Sequence, residues 1–298
     1  MNAAKIGAVI PELYALAGRL EGAGQYNNAK LVRAAAEAIV RRAAYDLDMP
    51  AKNEEITQKL DMAIETLAEF DVTAALGDTV KRGLQAMRED RLAMIDETPH
   101  AFVCRNCGYV VTAAPVEKCP TCNAWPQTFK EFLPVYWMEH FDPFEALDSL
   151  RNTPQAVAEL IDGLTEVQMN RAPQKEAWSI RHAVAHLRDA QGVFEFRVGL
   201  MIEQDKPELE SQAVFEWATR EADRPPPTDE IYHTYTESRH RVIKSLENRA
   251  LKDWWRGRRH EEFGPVTMKQ QASYFATHEL SHFPQIERLV GWVKSGEL

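Results

Sequence analysis

Four cysteines, Cys104, Cys107, Cys119 and Cys122, fall within nineteen residues as two C-x-x-C pairs. Each pair can chelate one ion from a tight turn. The eleven residues between the pairs let the chain return and close a tetrahedral four-thiolate site. That spacing reads as a metal site rather than the disulfide framework of a secreted domain, and it fits a reducing cytoplasm. Gly108 and Asn123, each directly after the second cysteine of a pair, tolerate the left-handed backbone that turns N–H groups toward sulfur.

A second constellation is built from histidine. His278 and His282 stand four apart, so a helix places both imidazoles on one face, in a stripe with Phe275, Ile286 and Leu289. Two imidazoles on an apolar face are costly to bury unless something ligates or hydrogen-bonds them. A third ligand must come from another helix. His186, among Ala183, Leu187, Ala190 and Val193, is the best candidate, and His182, near the helix start, reads as surface or as a support behind the ligands. Two other patterns overlap here. His278-Glu-Leu-Ser-His282 matches the zinc-protease string H-E-x-x-H, although Pro284 and the lack of a substrate-binding strand oppose it. Glu237-x-x-His240 and Glu279-x-x-His282 both read E-x-x-H, as in a di-iron bundle, but on the third and fourth helical segments. Glu279 points about 100° away from the neighbouring ligand around a helix, which suits an orienting residue better than a general base.

The elements that must position these groups follow from pattern and composition. The 298 residues carry 35 basic and 45 acidic side chains, a net charge of −10 that disfavours nucleic acid. No uninterrupted apolar run reaches the roughly 18 residues of a membrane span. Pro11 and Glu12 break the apolar start, so a secretory leader is not expected and the protein is placed in the cytoplasm.

Residues 1–96 read as an all-helical docking or dimerisation module, with helices also near 26–46, 53–69 and 75–94, and a homodimer is expected. The breaks fall at Gly22-Ala-Gly24, Met49-Pro50 and Asp71-Val-Thr-Ala. Residues 97–133 form a knuckle too short to bury a core without metal. Residues 134–298 hold a linker with Tyr136, Trp137, Phe141 and Phe144, then four amphipathic helices. These are expected to start at Thr153-Pro154, Trp178-Ser179, Thr228 and the capping box Thr267-x-x-Gln270, with longer connections over 205–227 and 248–266. A four-helix bundle is the simplest arrangement.

Two family resemblances attach to these residues. F-V-C-R-N-C-G-Y and E-K-C-P-T-C-N-A, over about residues 101–130, resemble the rubredoxin-like domain of rubrerythrins. The resemblance implies an iron that cycles between ferrous and ferric states and a redox partner; a zinc ribbon is the alternative, since thiolates suit both metals. Ala177 to Leu187, Arg239, Trp254-Trp255, His260 to Thr267 and His278 to Ile286 resemble the DinB-like superfamily of four-helix-bundle metalloproteins, over about residues 143–295. That resemblance implies a divalent ion, zinc, nickel or iron, on His186, His278 and His282 with open positions. Some members are similar to S-transferases or isomerases that use bacillithiol, mycothiol or glutathione.

Arg197 falls eleven residues after His186, close to three helical turns, so it and Arg239 are candidates to hold a substrate carboxylate. Tyr235, Trp254 and His260 are candidate pocket lining. The expectation is a mainly α chain: an N-terminal helical module, a small rubredoxin-like four-cysteine metal knuckle and a C-terminal DinB-like four-helix bundle. Its expected chemistry is that of a thiol S-transferase-like or redox enzyme acting on a low-molecular-weight thiol or other small molecule. The alternatives are a zinc-stabilised interaction protein and a rubrerythrin-like di-iron peroxidase.

Overall fold

The computed structural model describes residues 3–47, 52–69, 74–175, 177–205, 207–211 and 226–295. The chain forms two units, residues 1–91 with 102–130 and residues 92–101 with 131–298. The expected breaks at Met49-Pro50 and Asp71-Val-Thr, and residues 212–225 of the expected 205–227 connection, lie outside the described residues. No helix among the described residues is long and apolar enough to cross a membrane.

In the first unit, α1 (Ala3–Gly22) packs on α2 (Tyr26–Tyr45), and α3 (Asn53–Glu69) on α4 (Ala74–Arg88). Alanines make the first seam: Ala17, Ala29 and Ala36 are fully buried, and so small a side chain lets the two helices approach closely. Gly24, at φ +74, makes the turn between them. The helix expected over 75–94 ends at Arg88. Strands β1 (Ala101–Cys104), β2 (Val110–Thr112) and β3 (Phe129–Phe132) form a small sheet in the order β2–β1–β3, and α4 packs against β2.

In the second unit, the first bundle helix, α5 (Pro143–Ile161), starts ten residues before Thr153. Asp142 sets that start: its carboxylate accepts from the N–H groups of Phe144 and Glu145 at 2.8 and 2.9 Å, and Glu145 accepts from the Asp142 N–H at 3.0 Å. This capping box, with Pro143 at the first helical position, outcompetes Thr153-Pro154 as a start. Pro154 therefore lies inside the helix and leaves the Leu150 carbonyl without its usual partner four residues on. A guanidinium N–H of Arg239 donates to that oxygen at 2.7 Å.

The other expected starts hold. After the short α6 (Glu166–Met169), α7 (Ile180–Glu203) is capped by Ser179, α8 (Thr228–Leu246) follows Pro227, and α10 (Met268–Ser295) follows the Thr267–Gln270 box. His182 stands where a capping box places Glu or Gln, its Nδ1 accepting from the Ser179 N–H at 3.1 Å; it is an exposed capping residue. The 248–266 connection contains α9 (Leu251–Trp254), β5 (Gly257–His260) and β6 (Gly264–Thr267). With β4 (Glu208–Leu209) these strands form a sheet in the order β4–β5–β6, parallel at Leu209↔His260 and antiparallel at His260↔Gly264. The bundle core centres on Leu150, Phe194 and Phe275 in one cluster, and on Leu187, Ile231 and Ile286 in another.

Candidate metal centres

The cysteine site is built from two turns. Gly108 at φ +80 and Asn123 at φ +58 both adopt the left-handed conformation. Cys104 lies 3.7 Å from Cys122 and Cys107 lies 3.5 Å from Cys119, sulfur to sulfur, and the four sulfurs lie within 4.8 Å of one another. A tetrahedron with metal–sulfur bonds of about 2.3 Å has edges of about 3.8 Å, so the four thiolates fit a closed site. Burial raises the Cys104 thiol, but N–H groups of Cys107 and Asn106 aimed at it outweigh that and bring it down to about 6. Cys104 and Cys119 are buried, while Cys107 and Cys122 are exposed.

The histidine site joins α7 and α10. The Nε2 atom of His278 lies 3.1 Å from that of His186 and 3.2 Å from that of His282. Nδ1 of His282 donates to Oε1 of Gln285 at 2.9 Å, which leaves its Nε2 lone pair facing the other two rings. Burial, reinforced by His282, pushes His186 down to about 4; burial, His282 and His186 push His278 to about 3. Both are neutral at pH 7, so lone pairs converge where no proton satisfies them all. Three nitrogens bonded at about 2.0–2.1 Å in a tetrahedron stand about 3.3 Å apart, and these rings fit an ion on that geometry. Among the described residues no fourth histidine, cysteine or carboxylate joins them, so the donor set is open. Among the described residues the buried Nδ1 of His278 has no hydrogen-bond partner.

Aromatic rings fix the imidazoles. Trp178 stacks on His282 at 6.1 Å and 5°, and Tyr274 on His278 at 6.1 Å and 13°. The three histidines line a cavity of about 490 Å³ that Trp137, Trp178, Arg197, Glu262, Phe263 and Tyr274 also border. Arg197 is thus brought to the histidines, as its spacing predicts; burial pulls its pKa down, opposed by Tyr274 and Glu262.

Arg239 is not brought there. It lies at the bundle centre, bonded through its guanidinium to both oxygens of Glu279, to Gln191 Oε1 at 2.8 Å and to Thr153 Oγ1 at 3.0 Å. The expectation of a substrate anchor is corrected: a cation with its donors spent on internal partners has none for a ligand. Glu279, 2% exposed and held by Arg239, orients another residue, as its helical offset implies, and no general base stands in the H-E-x-x-H string. The di-iron pattern fails on the same ground, since Glu237 and His240 are exposed on the surface of α8. Tyr235, Trp254 and His260 are buried outside the cavity lining.

Glu262, Tyr274 and Gln285 are functional candidates that sequence reasoning passed over. Tyr274 lies four before His278 and Gln285 three after His282, so helical spacing carried the signal for both. Glu262 lies in the β5–β6 turn, within the His260–Thr267 stretch that carries the family resemblance, but nothing local to that stretch shows that its carboxylate borders the cavity.

Residues 149–286 match the family model of the DinB superfamily, and residues 102–130 that of the rubrerythrin rubredoxin-like domain. No curated protein matches the chain. A solved structure similar to it is YfiT from Bacillus subtilis, described as a probable metal-dependent hydrolase with an unusual four-helix bundle topology. The likeness is at 17% identity over 50% of this chain and 88% of that one, with a TM-score of 0.44. By these two matches residues 149–286 are similar to the bundles of the DinB superfamily, and residues 102–130 to the rubredoxin-like domain of rubrerythrins.

Proposed function

We propose that the bundle is the catalytic centre of a metal-dependent enzyme acting on a low-molecular-weight thiol, in S-transferase-like or oxidative-stress chemistry. The observation that carries this reading is the open set of three converging imidazoles on the wall of a cavity of about 490 Å³. A divalent ion held by neutral imidazoles keeps its full charge and draws the pKa of a coordinated thiol toward neutrality. His186, His278 and His282 would hold it. Trp178 and Tyr274 stack on His282 and His278, and Arg197 would bind an anionic group of the substrate.

The four-cysteine site would hold iron and pass electrons, in a cytoplasmic, reducing setting. Exposure of Cys107 and Cys122 supports this part, because electron exchange needs sulfur near the surface. The test is element analysis with a visible spectrum on protein purified without oxygen or chelator. The expected result is iron absorption tied to the cysteines and a divalent ion that disappears when His186, His278 and His282 are changed to alanine. Bundle metal unaffected by those changes overturns the catalytic reading, and a colourless protein with stoichiometric zinc on the cysteines overturns the redox one.

A further inference from the structure

Two opposite charges face the cavity of the three histidines without bonding to each other. Arg197 is 6% exposed and donates to the Glu210 carbonyl at 3.0 Å, and among the described residues no carboxylate lies within 4.0 Å of its guanidinium. Glu262 accepts from Ser211 Oγ at 2.8 Å. Burial lowers the Arg197 pKa, and Tyr274 and Glu262 oppose that lowering. A buried cation with no ion-pair partner is costly, and a ligand anion relieves that cost.

The turn that presents Glu262 is held by hydrogen bonds from two sides. Nδ1 of His260 accepts from the N–H groups of Glu262 and Phe263 at 3.1 and 3.2 Å. The segment ahead of β1 braces the same turn from its other side. The N–H of Ile95 donates to the Glu261 carbonyl at 2.9 Å, and His100 Nε2 meets the Phe263 carbonyl at 2.8 Å. Gly264 closes the turn at φ +74, with Ile95 so near that an added Cβ would come within 2.7 Å of it. A carboxylate held this way is positioned before any ligand arrives.

A substrate with only an anion at this end would meet repulsion from Glu262, and one with only a cation would meet it from Arg197. A molecule carrying both satisfies both walls. We infer that Arg197 and Glu262 form a zwitterion subsite, taking the carboxylate and ammonium of a thiol that bears an amino-acid group, with its sulfur directed to the histidines. The inference rests on the proposed thiol chemistry for the sulfur alone; the charge reading stands on Arg197 and Glu262.

The test is calorimetric titration of the full-length, metal-containing protein with L-cysteine, cysteamine, 3-mercaptopropionate and L-2-aminobutyrate. L-cysteine is expected to bind about tenfold or more tightly than cysteamine, which lacks the carboxylate, or 3-mercaptopropionate, which lacks the ammonium. Arg197→Lys and Arg197→Gln should remove the advantage over cysteamine alone, and Glu262→Gln the advantage over 3-mercaptopropionate alone. Equal binding of the three thiols by the unaltered protein overturns the inference, as does loss of both advantages in any one of the three variants. L-2-aminobutyrate separates the two readings. Binding as tight as L-cysteine sinks the metal–thiol proposal and leaves the zwitterion subsite, whereas His186-dependent thiol binding with no charge preference does the reverse.

Discussion

Arg239 and Glu279 meet inside the bundle with side chains 1% and 2% exposed, a guanidinium from α8 against a carboxylate from α10. Thr153 of α5 donates to Glu279 Oε2 at 2.7 Å, and Gln191 of α7 accepts from Arg239 Nε at 2.8 Å. One polar knot thus ties all four long helices together.

Breaking that knot should cost more than losing any surface pair. Glu279→Ala leaves a buried cation unpaired and is expected to destabilise the bundle by about 3–5 kcal/mol, read from the urea midpoint. Thr153→Val should cost about 1–2 kcal/mol. A Glu279→Ala loss no larger than that of an exposed pair such as Arg256–Asp205 would contradict the assignment.

Gln285 should tune metal affinity without touching the metal. It fixes the Nδ1–H tautomer of His282, so Gln285→Leu is expected to weaken divalent-ion binding by about 10–100-fold in a chelator competition. Thermal unfolding of the metal-free protein should stay close to that of the parent. Unchanged affinity would show that ring stacking alone orients His282.

The metal-free bundle should lose stability on mild acidification. His186 is depressed to about 4, and His278 and His260 to about 3, so below the unfolded value of about 6.5 the unfolded chain binds protons that the folded one refuses. Stability is therefore full above about pH 7 and falls as pH drops from about 6.5 toward 3, by up to about 1.4 kcal/mol per pH unit for each such histidine. Urea titrations of metal-free protein at pH 7, 6 and 5 check this. A flat series would mean that the three imidazoles are not buried neutral.

In the knuckle, Asn123 holds a left-handed backbone that only glycine adopts freely. Asn123→Val should cost about 1–2 kcal/mol, visible as release of the cysteine-bound metal at lower chelator concentration, and Asn123→Gly should be neutral or better. Cys119→Ser should abolish that metal and unfold residues 102–130, seen as loss of their dispersed NMR signals.

Much of this was legible in the chain, for reasons that differ by element. Local rules work where one short segment holds both partners. Ser179 and Thr267 cap their own helices, the C-x-x-C turns carry their own left-handed residues, and His278 and His282 share a face by periodicity alone. Thr153-Pro154 misled because it satisfies the local rule for a helix start, while its real compensation, Arg239, lies in another helix. The same arginine was misplaced as a ligand anchor, since charge and spacing cannot reveal which carboxylate will face it. Glu262 stayed hidden because its place depends on how β5 and β6 pair and on the brace from Ile95 and His100.

Pro154 has a consequence for how the bundle assembles. By deleting one N–H from α5 it leaves the Leu150 carbonyl without its backbone donor and with only the Thr153 hydroxyl at 3.5 Å nearby, and α8 must be seated at one height and one rotation to bring Arg239 to it. A misthreaded arrangement would strand an acceptor and a cation together. The defect in one helix thus proofreads the docking of another.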